Sequence, residues 1–283
     1  MILVIAVQFV YLMLANPAFE WGVVVQYLVA PQILRGVGIT LMLSGIAMAI
    51  GIVGGVIMAV CRLSSNVVLS SAAGAFIWFF RGVPVLVQLI FWYNLAALIP
   101  KISIAIPFGP ELVSWNTNDL ISPISAAILG FGLNEIALMA EIVRGGILSV
   151  DLGQGETASA LGMRKTRTLA RIIVPQAMRF IVPPTGNQVI SIVKATSLVS
   201  VIALSDILYT VQTIYNFNYK TIPLLVVASL WYLFTTSVLT VGQSFIERYY
   251  ARGATRNAQI PLAEQFMAAL VRPKLLFRSW RSR

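Results

Sequence analysis

Long apolar runs without charge dominate the hydropathy pattern of the chain. Residues 36–61 and residues 221–246 contain no charged side chain at all. A helix of about 20 apolar residues crosses a bilayer whose hydrocarbon core is roughly 30 Å thick. Both runs are therefore predicted to span a membrane as α-helices.

Three further runs complete a set of five. Residues 82–100 are uncharged, residues 120–140 are interrupted only by Glu135, and residues 180–205 only by Lys194. These runs are too long for the strands of a membrane β-barrel, which alternate over about ten residues. The pattern predicts an all-α integral membrane protein with five core transmembrane helices.

Two other apolar segments fit this scheme less directly. Residues 63–80 are uncharged, but their first half is rich in Ser and Asn, which favours an interfacial or partly inserted helix that leads into the span after Pro84. Residues 1–15 are apolar but shorter than a bilayer requires. They are compatible with a sixth span and equally with a partial one, and the sequence leaves both alternatives open.

The composition excludes several classes of protein. Of 283 residues, 58% are hydrophobic and only 11% are charged, whereas an average soluble domain carries roughly 25% charge. The chain has no His and a single Cys, Cys61. This removes His-containing catalytic triads, His-based metal sites, Cys-based zinc sites and disulfide frameworks. We expect no catalytic residue and no metal site.

The positive charges indicate the orientation of the spans. If the five spans alternate, sixteen basic residues fall on one side of the membrane, and only Arg35, Lys101 and Lys220 on the other. The sixteen are Arg62, Arg81, Arg144, Arg164, Lys165, Arg167, Arg171, Arg179, Arg248, Arg252, Arg256, Arg272, Lys274, Arg278, Arg281 and Arg283. Cytoplasmic loops are enriched in Lys and Arg, so this side is predicted to be cytoplasmic. The net charge of +10 is then a signal of topology and does not indicate nucleic-acid binding.

The loop over residues 144–179 is much longer than the two to eight residues of an ordinary helix connection. Asp151 followed by Gln154 resembles a capping box at a helix start. Gly162 is well placed as a helix stop. The basic stretch that follows predicts a second helix ended by Pro175. The loop therefore reads as two short helices at a bend, projecting into the cytoplasm.

The same loop resembles the EAA signature of ABC-importer permeases. Residues 156–175 contain Glu-Thr-Ala, then three residues, a Gly, nine residues, and Ile-Ile-Val-Pro. The departures are mild, since Thr157 replaces the first Ala of the triplet and Val174 the usual Leu before the proline. Three flanking blocks, RGVPVLVQ at 81–88, AEIVRGG at 140–146 and KATSL at 194–198, are similar to the branch that imports polar amino acids and opines.

The resemblance covers roughly residues 35–252 and implies a domain plan. Residues 1–34 form an N-terminal apolar, external segment, and residues 35–250 the permease transmembrane domain. Residues 251–283 form a basic cytoplasmic tail. A multi-pass protein of the bacterial cytoplasmic membrane is implied.

The resemblance also implies how the protein works. In such permeases the loop helix sits in a groove of a separate cytoplasmic ATPase, whose closure rocks the spans between inward and outward openings. The residues implied in docking are Asp151, Gln154, Glu156, Ala158, Gly162 and Pro175. The chain has no G-x-x-x-x-G-K-[ST] motif, so it is expected not to be an enzyme. ATP and Mg²⁺ would then bind the partner ATPase, and this chain would bind no cofactor.

Polar groups inside the predicted spans are candidates for the substrate pathway. A charge at the bilayer centre costs about 2.5–3.5 kcal/mol on insertion scales, so Glu135 and Lys194 should face the bundle interior and pair with each other or with substrate. Asn94 and Ser197 complete the predicted pathway set. The alternative is a buried network that fixes helix packing. The residues alone do not separate the two.

The implied partners are ATPase subunits, a second permease copy that is identical or a sister, an extracytoplasmic binding protein and the lipid membrane. The leading hypothesis is therefore the permease subunit of an ATP-driven importer of polar amino acids or related compounds. The alternative is a secondary transporter or channel for small polar solutes. That alternative predicts more spans or an inverted repeat within the chain.

Overall fold

The computed structural model describes residues 2–105 and 111–251. These residues are mostly helical, with one two-stranded hairpin. The helices are α1 (Ile2–Ala15), α2 (Trp21–Leu28), α3 (Pro31–Arg62), α4 (Val67–Gly82), α5 (Val85–Tyr93), α6 (Leu95–Leu98), α7 (Thr117–Leu120), α8 (Pro123–Leu148), α9 (Leu152–Ala160), α10 (Lys165–Thr168), α11 (Val174–Ala195), α12 (Ile207–Asn218) and α13 (Thr221–Ala251). The strands are β1 (Lys101–Ala105) and β2 (Glu111–Asn116). Short 3-10 segments cover Pro17–Phe19 and Thr196–Ile202, and a π turn covers Leu169–Ile173.

Three straight helices, α3, α8 and α13, are long and apolar enough to cross a membrane. Two bent pairs complete the set: α4 with α5 at 97°, and the run Lys165–Ile202 with α12 at 45°. Helices α3 and α8 run in the same direction, because Gly51 lies against Glu135 and Gly55 against Met139. The segment between α3 and α8 must therefore cross the membrane once in the opposite direction. The fold agrees with the all-α, five-span prediction.

The span predicted over residues 82–100 contains a helix, α5, that is shorter than the apolar run. Helix α5 has nine residues, about 13.5 Å at 1.5 Å per residue, which is less than half the hydrocarbon thickness. The crossing is completed by α4, which joins α5 at the 97° bend. This geometry fits the prediction that residues 63–80 form a helix leading into the span after Pro84.

Side-chain amides stabilise the bend between α4 and α5. The Gln88 amide donates hydrogen bonds to the carbonyl oxygens of Phe80 (3.1 Å) and Val83 (2.9 Å). Asn134 of α8 donates another to Phe80 (2.8 Å). Because α4 ends at Gly82, these carbonyls lack a continuing helical partner. The amides supply that partner, which explains why the bend is stable inside apolar surroundings.

Glycines allow α3 to pack closely on α8. A Cβ atom placed on Gly51 would lie 2.6 Å from Cβ of Glu135, and one on Gly55 would lie 2.5 Å from Cβ of Met139. Small residues at such contacts let the two backbones approach closely, which is the usual basis of helix association in lipid. The α3–α8 contact is thus the centre of the bundle.

Helix α2 and the hairpin lie at the end of the bundle opposite α9. Helix α1 has 14 residues, about 21 Å, so it is too short to cross the bilayer alone. Helix α2 packs on α13, where the Trp231 indole donates to the Leu28 carbonyl (2.9 Å). The hairpin is a local exception to the all-α prediction, and residues 252–283, most of the predicted tail, lie outside the described residues.

Candidate coupling loop and membrane-buried polar residues

Helix α9 begins at Asp151, as the sequence predicts. The Asp151 carboxylate accepts a hydrogen bond from the backbone N–H of Gly153 (2.7 Å). The second half of the predicted capping box does not form, since the side-chain Oε1 of Gln154 accepts from the side-chain amide of Gln176 (3.3 Å) instead. Gln154 therefore ties α9 to the start of α11, a contact between distant parts of the loop that a local motif does not reveal.

Helix α9 ends at Ala160, and the left-handed residue that follows its C-cap is Gly162, which confirms the predicted stop. Gly162 has a φ of +73°, in the left-handed region that favours glycine. Its N–H donates to the Ser159 carbonyl (3.0 Å), and the Met163 N–H donates to the Ala158 carbonyl (3.0 Å). This pair of bonds is a Schellman motif, and it turns the chain sharply after α9.

The two faces of α9 differ strongly. Ala158 is buried, and the helix packs through it against the turns over residues 165–173. Glu156 is exposed beside an open cavity that α9 forms with residues 165–173, and Leu152 and Leu161 at the two ends are 81% and 75% exposed. Leu152, Glu156 and Leu161 are therefore accessible to solvent along α9.

The predicted end of the second loop helix at Pro175 is wrong. The helix that starts at Lys165 passes through the π turn at Leu169–Ile173 and continues as α11 to Ala195. The Val174 N–H donates to the Leu169 carbonyl, five residues back. Pro175 falls directly after this wide turn, in the first turn of α11, where a missing N–H is tolerated. The second loop helix is therefore the extension of a membrane span.

Glu135 is buried among α3, α8 and α11, with 3% of its surface exposed. Its Oε1 accepts a hydrogen bond from the Gln188 amide (3.0 Å), and its Oε2 has no partner among the described residues. Of the two predicted alternatives, pairing with each other or with substrate, the direct pair of Glu135 with Lys194 does not form. Lys194 lies six residues beyond Gln188 on α11, about 9 Å further along the axis.

Lys194 belongs instead to a polar face of α11. Asn187, Ser191 and Lys194 are all exposed on the chain, and their spacing of four and three residues places them on one side of the helix. Ser197 follows one turn later and donates to the Lys194 carbonyl (2.8 Å). Because a charged side chain facing lipid is costly, this face requires polar surroundings.

Asn94 lies far from the other predicted pathway residues. It follows α5 and lines an open cavity beside Asn118 and Ser122, at the hairpin end of the bundle. Its amide donates to the Ile90 carbonyl (2.8 Å). The four predicted pathway residues are therefore not one cluster: Lys194 and Ser197 adjoin, whereas Glu135 and Asn94 occupy separate places.

A buried network around Asp206 was missed by the sequence reasoning. Asp206 is fully buried at the break before α12. Its carboxylate accepts from the Tyr209 N–H (2.8 Å) and from the Tyr232 hydroxyl (2.9 Å). Thr40 of α3 accepts from the next N–H, that of Ile207 (3.4 Å). An acidic residue just before an apolar helical run is an N-cap signal, and this signal could have identified Asp206.

The architecture is that of a multi-pass helical membrane protein with an exposed helix held between two spans. Residues 51–256 match the family described as the binding-protein-dependent transport system inner membrane component. The chain belongs to this family, and it is a multi-pass inner-membrane permease subunit of an ABC transporter.

Two permease proteins and one solved transporter structure support the assignment over most of the chain. The arginine transport system permease protein ArgU of Corynebacterium glutamicum is 41% identical over 251 residues, 88% of this chain and 78% of the relative. The nopaline transport system permease protein NocM of Agrobacterium fabrum is 36% identical over 211 residues, 74% and 84% of the two chains. A solved amino acid ABC transporter with histidines superposes with a TM-score of 0.67 at 30% identity, covering 77% of this chain and 94% of that one.

Proposed function

We propose that this subunit moves polar amino acids or related compounds, such as opines, into the cytoplasm. The observation that supports this most directly is the 41% identity to an arginine transport permease along 88% of the chain. The similarity to a nopaline permease extends the substrate class to amino-acid derivatives. The comparisons support the importer hypothesis and give no support to the secondary transporter or channel.

The energy is proposed to come from a separate ATPase that binds ATP and Mg²⁺. The sequence contains no phosphate-binding G-x-x-x-x-G-K-[ST] motif. The exposed face of α9, with Glu156 between Leu152 and Leu161, is the docking surface that we assign to this partner. Asp151 and Gly162 fix the two ends of α9, and Ala158 seats it on the rest of the loop. Movement of the ATPase would thereby be transmitted directly into α11.

The substrate pathway is proposed to lie along the polar face of α11. Asn187, Ser191 and Lys194 need a polar environment, and a second permease copy facing this side would enclose them. The Lys194 ammonium would attract a substrate carboxylate in this low-dielectric space. Glu135 is buried against α3 and bonded to Gln188, which favours its alternative role in fixing helix packing.

The opposite end of the bundle is proposed to receive substrate from the extracytoplasmic binding protein. The hairpin and the cavity beside Asn94 both lie at this end. Membership of a binding-protein-dependent family supports such a partner. Asn94 would then contact substrate as it enters, before it reaches Lys194.

Reconstitution tests the proposed function. The permease, its ATPase and its binding protein are placed in proteoliposomes, and uptake of labelled arginine and of labelled nopaline is measured with and without ATP. We expect uptake of at least one of these compounds, dependent on both ATP hydrolysis and the binding protein. Full-rate uptake without hydrolysis would contradict the proposal.

Docking through α9 is tested by Glu156→Lys. The change reverses the charge at the centre of the proposed surface, and we expect at least a tenfold loss of co-purifying ATPase and of uptake. Asp119→Lys is the matched control, because it makes the same change on an exposed residue of α7 at the other end of the bundle. Equal ATPase recovery with both variants would contradict docking at Glu156.

Lys194→Met tests the pathway. It keeps a long side chain but removes the charge, so we expect lower uptake with unchanged ATPase co-purification and unchanged thermal stability. Unchanged ATP-driven uptake would show that Lys194 takes no part in transport.

A further inference from the structure

Three arginines from three different helices converge on one carboxylate. Arg144 forms two hydrogen bonds with Glu141 on α8, from Nε to Oε1 (3.1 Å) and from Nη2 to Oε2 (2.8 Å). Nη1 of Arg81, at the end of α4, lies 4.0 Å from Glu141 Oε2. Arg62, at the end of α3, adds a further electrostatic attraction to Glu141. The group of Arg62, Arg81, Arg144 and Glu141, here the arginine cluster, has two positive charges in excess.

The arginine cluster lies near the end of the bundle that carries α9. Glu141 is seven residues before the end of α8 at Leu148, about 10 Å along the helix axis. Helix α5 packs beside α8, and α4 meets α5 at 97°. Helix α4 runs from this end of the bundle, where Ser70 contacts Arg62 at the end of α3, to the middle of α8, where its Phe80 carbonyl accepts from Asn134 (2.8 Å). The sequence predicts the cytoplasmic surface of the membrane at the first of these two places.

Arg62 is held on α4 by specific contacts. Its Nη1 donates to the Ser70 hydroxyl (2.8 Å), and that hydroxyl donates in turn to the Arg62 carbonyl (2.9 Å). A Cβ atom on Gly74 would lie 3.3 Å from Arg62 Nε, so the guanidinium lies directly over the helix. The cation is thereby fixed on α4, the same helix that carries Arg81 in its last turn.

Next to the arginine cluster, α4 exposes a broad apolar surface. Val67, Val68 and Phe79 are exposed, and Trp78 is 76% exposed. An apolar face continuous with a cationic group matches a phospholipid, which joins acyl chains to a charged phosphate.

We propose that the arginine cluster binds the phosphate of an anionic phospholipid, with the exposed face of α4 against its acyl chains. The side chains of Arg81 and Arg144 are 49% and 32% exposed, so a headgroup can reach both. Guanidinium groups bind phosphate oxygens through paired N–H donors. Within the described ranges, Glu141 is the only carboxylate within 4.0 Å of these arginines. A lipid phosphate supplies the missing negative charge, and basic sites between helices on the cytoplasmic side favour such headgroups.

Trp78 serves as the reporter, because it lies three residues before Arg81. The assembled transporter is placed in nanodiscs of phosphatidylcholine with either brominated phosphatidylglycerol or brominated phosphatidylcholine at equal mole fraction. Subtracting the fluorescence of a Trp78→Phe variant isolates the quenching of Trp78. We expect more quenching by the brominated anionic lipid, and a preference that falls about fivefold for each arginine removed, which corresponds to about 1 kcal/mol per basic residue at an anionic surface.

Arg81→Gln and Arg62→Gln should each lower the preference, whereas Arg35→Gln should not. Arg35 is the matched control because it is an exposed arginine of α3 at the opposite end of that helix. Equal quenching by the two brominated lipids would overturn the proposal, and so would a preference that survives loss of both Arg62 and Arg81. A preference abolished by inorganic phosphate would assign the site to a soluble anion instead. The lipid preference could also be present in the isolated permease but absent from the assembled transporter. That result would assign the arginine cluster to an acidic surface of the ATPase.

Discussion

Helix α9 and the contact between α3 and α8 are built in opposite ways. Helix α9 has a single buried side chain, Ala158, and exposes Leu152 and Leu161 at its ends. The α3–α8 contact places glycine against the backbone of the neighbouring helix at Gly51 and Gly55. The first arrangement leaves side chains accessible for the docking that we propose, and the second holds two spans together. Substitutions should therefore affect assembly in α9 and stability in the α3–α8 contact.

The largest effect is expected for Gly51→Val. The added atoms would lie against Glu135, since even a Cβ would be 2.6 Å from the Glu135 Cβ, and overpacking costs up to about 3 kcal/mol. Thermal unfolding of the purified permease measures the change. Gly45→Val on the same helix is the control, because a Cβ there meets nothing within 4 Å. Equal stability of the two variants would contradict the conclusion that close packing at Gly51 stabilises the α3–α8 contact.

A smaller loss is expected for Gln188→Leu. This change leaves Glu135 without its hydrogen-bond donor in a buried place, which costs about 2 kcal/mol. In the double variant Glu135→Met, Gln188→Leu both polar groups are absent, and part of the stability should return. A double-mutant cycle of unfolding free energies gives the coupling between the two residues. Strictly additive effects would show that the 3.0 Å bond contributes nothing.

Gly162→Ala tests α9 itself. A left-handed residue other than glycine costs about 1 kcal/mol, and the strain lies at the turn after α9 and not in the bundle. We expect weaker ATPase binding in a pull-down assay, with little change in the unfolding temperature. Gly155→Ala, inside α9 with ordinary backbone geometry and open space, should bind normally. A lowered unfolding temperature with normal ATPase binding would reverse the roles assigned to the two regions.

The smallest effect is expected for Lys220→Gln at the hairpin end. Lys220 forms an ion pair with Glu20, and both side chains are partly exposed. Exposed pairs contribute about 0.2–1 kcal/mol and weaken with salt. The loss of stability should shrink between low and high ionic strength in the same unfolding assay. A loss that does not depend on salt would point to packing around the Lys220 stem.

The sequence by itself determined the five apolar segments, the side of the membrane on which most basic residues are expected, and the residues that end α9 on each side. Each of these depends on residues close together in the chain. Run length decides whether a helix can span a bilayer, and Asp151 and Gly162 act on backbone groups within a few residues. The resemblance of residues 156–175 to the EAA signature is likewise local, and the match to the permease family confirms the family that it indicated.

Only the tertiary structure decided how the spans bend and which polar groups meet. The bend before α5 is stabilised in part by Asn134, 54 residues from the Phe80 carbonyl that it binds. Glu135 meets Gln188, 53 residues away, and not Lys194. The helix continues through Pro175 because the π turn over Leu169–Ile173 precedes this residue. Such outcomes depend on contacts between segments that are far apart in sequence. A pattern of apolar and polar residues indicates which face of a helix is buried, but it does not identify the helix against which that face packs.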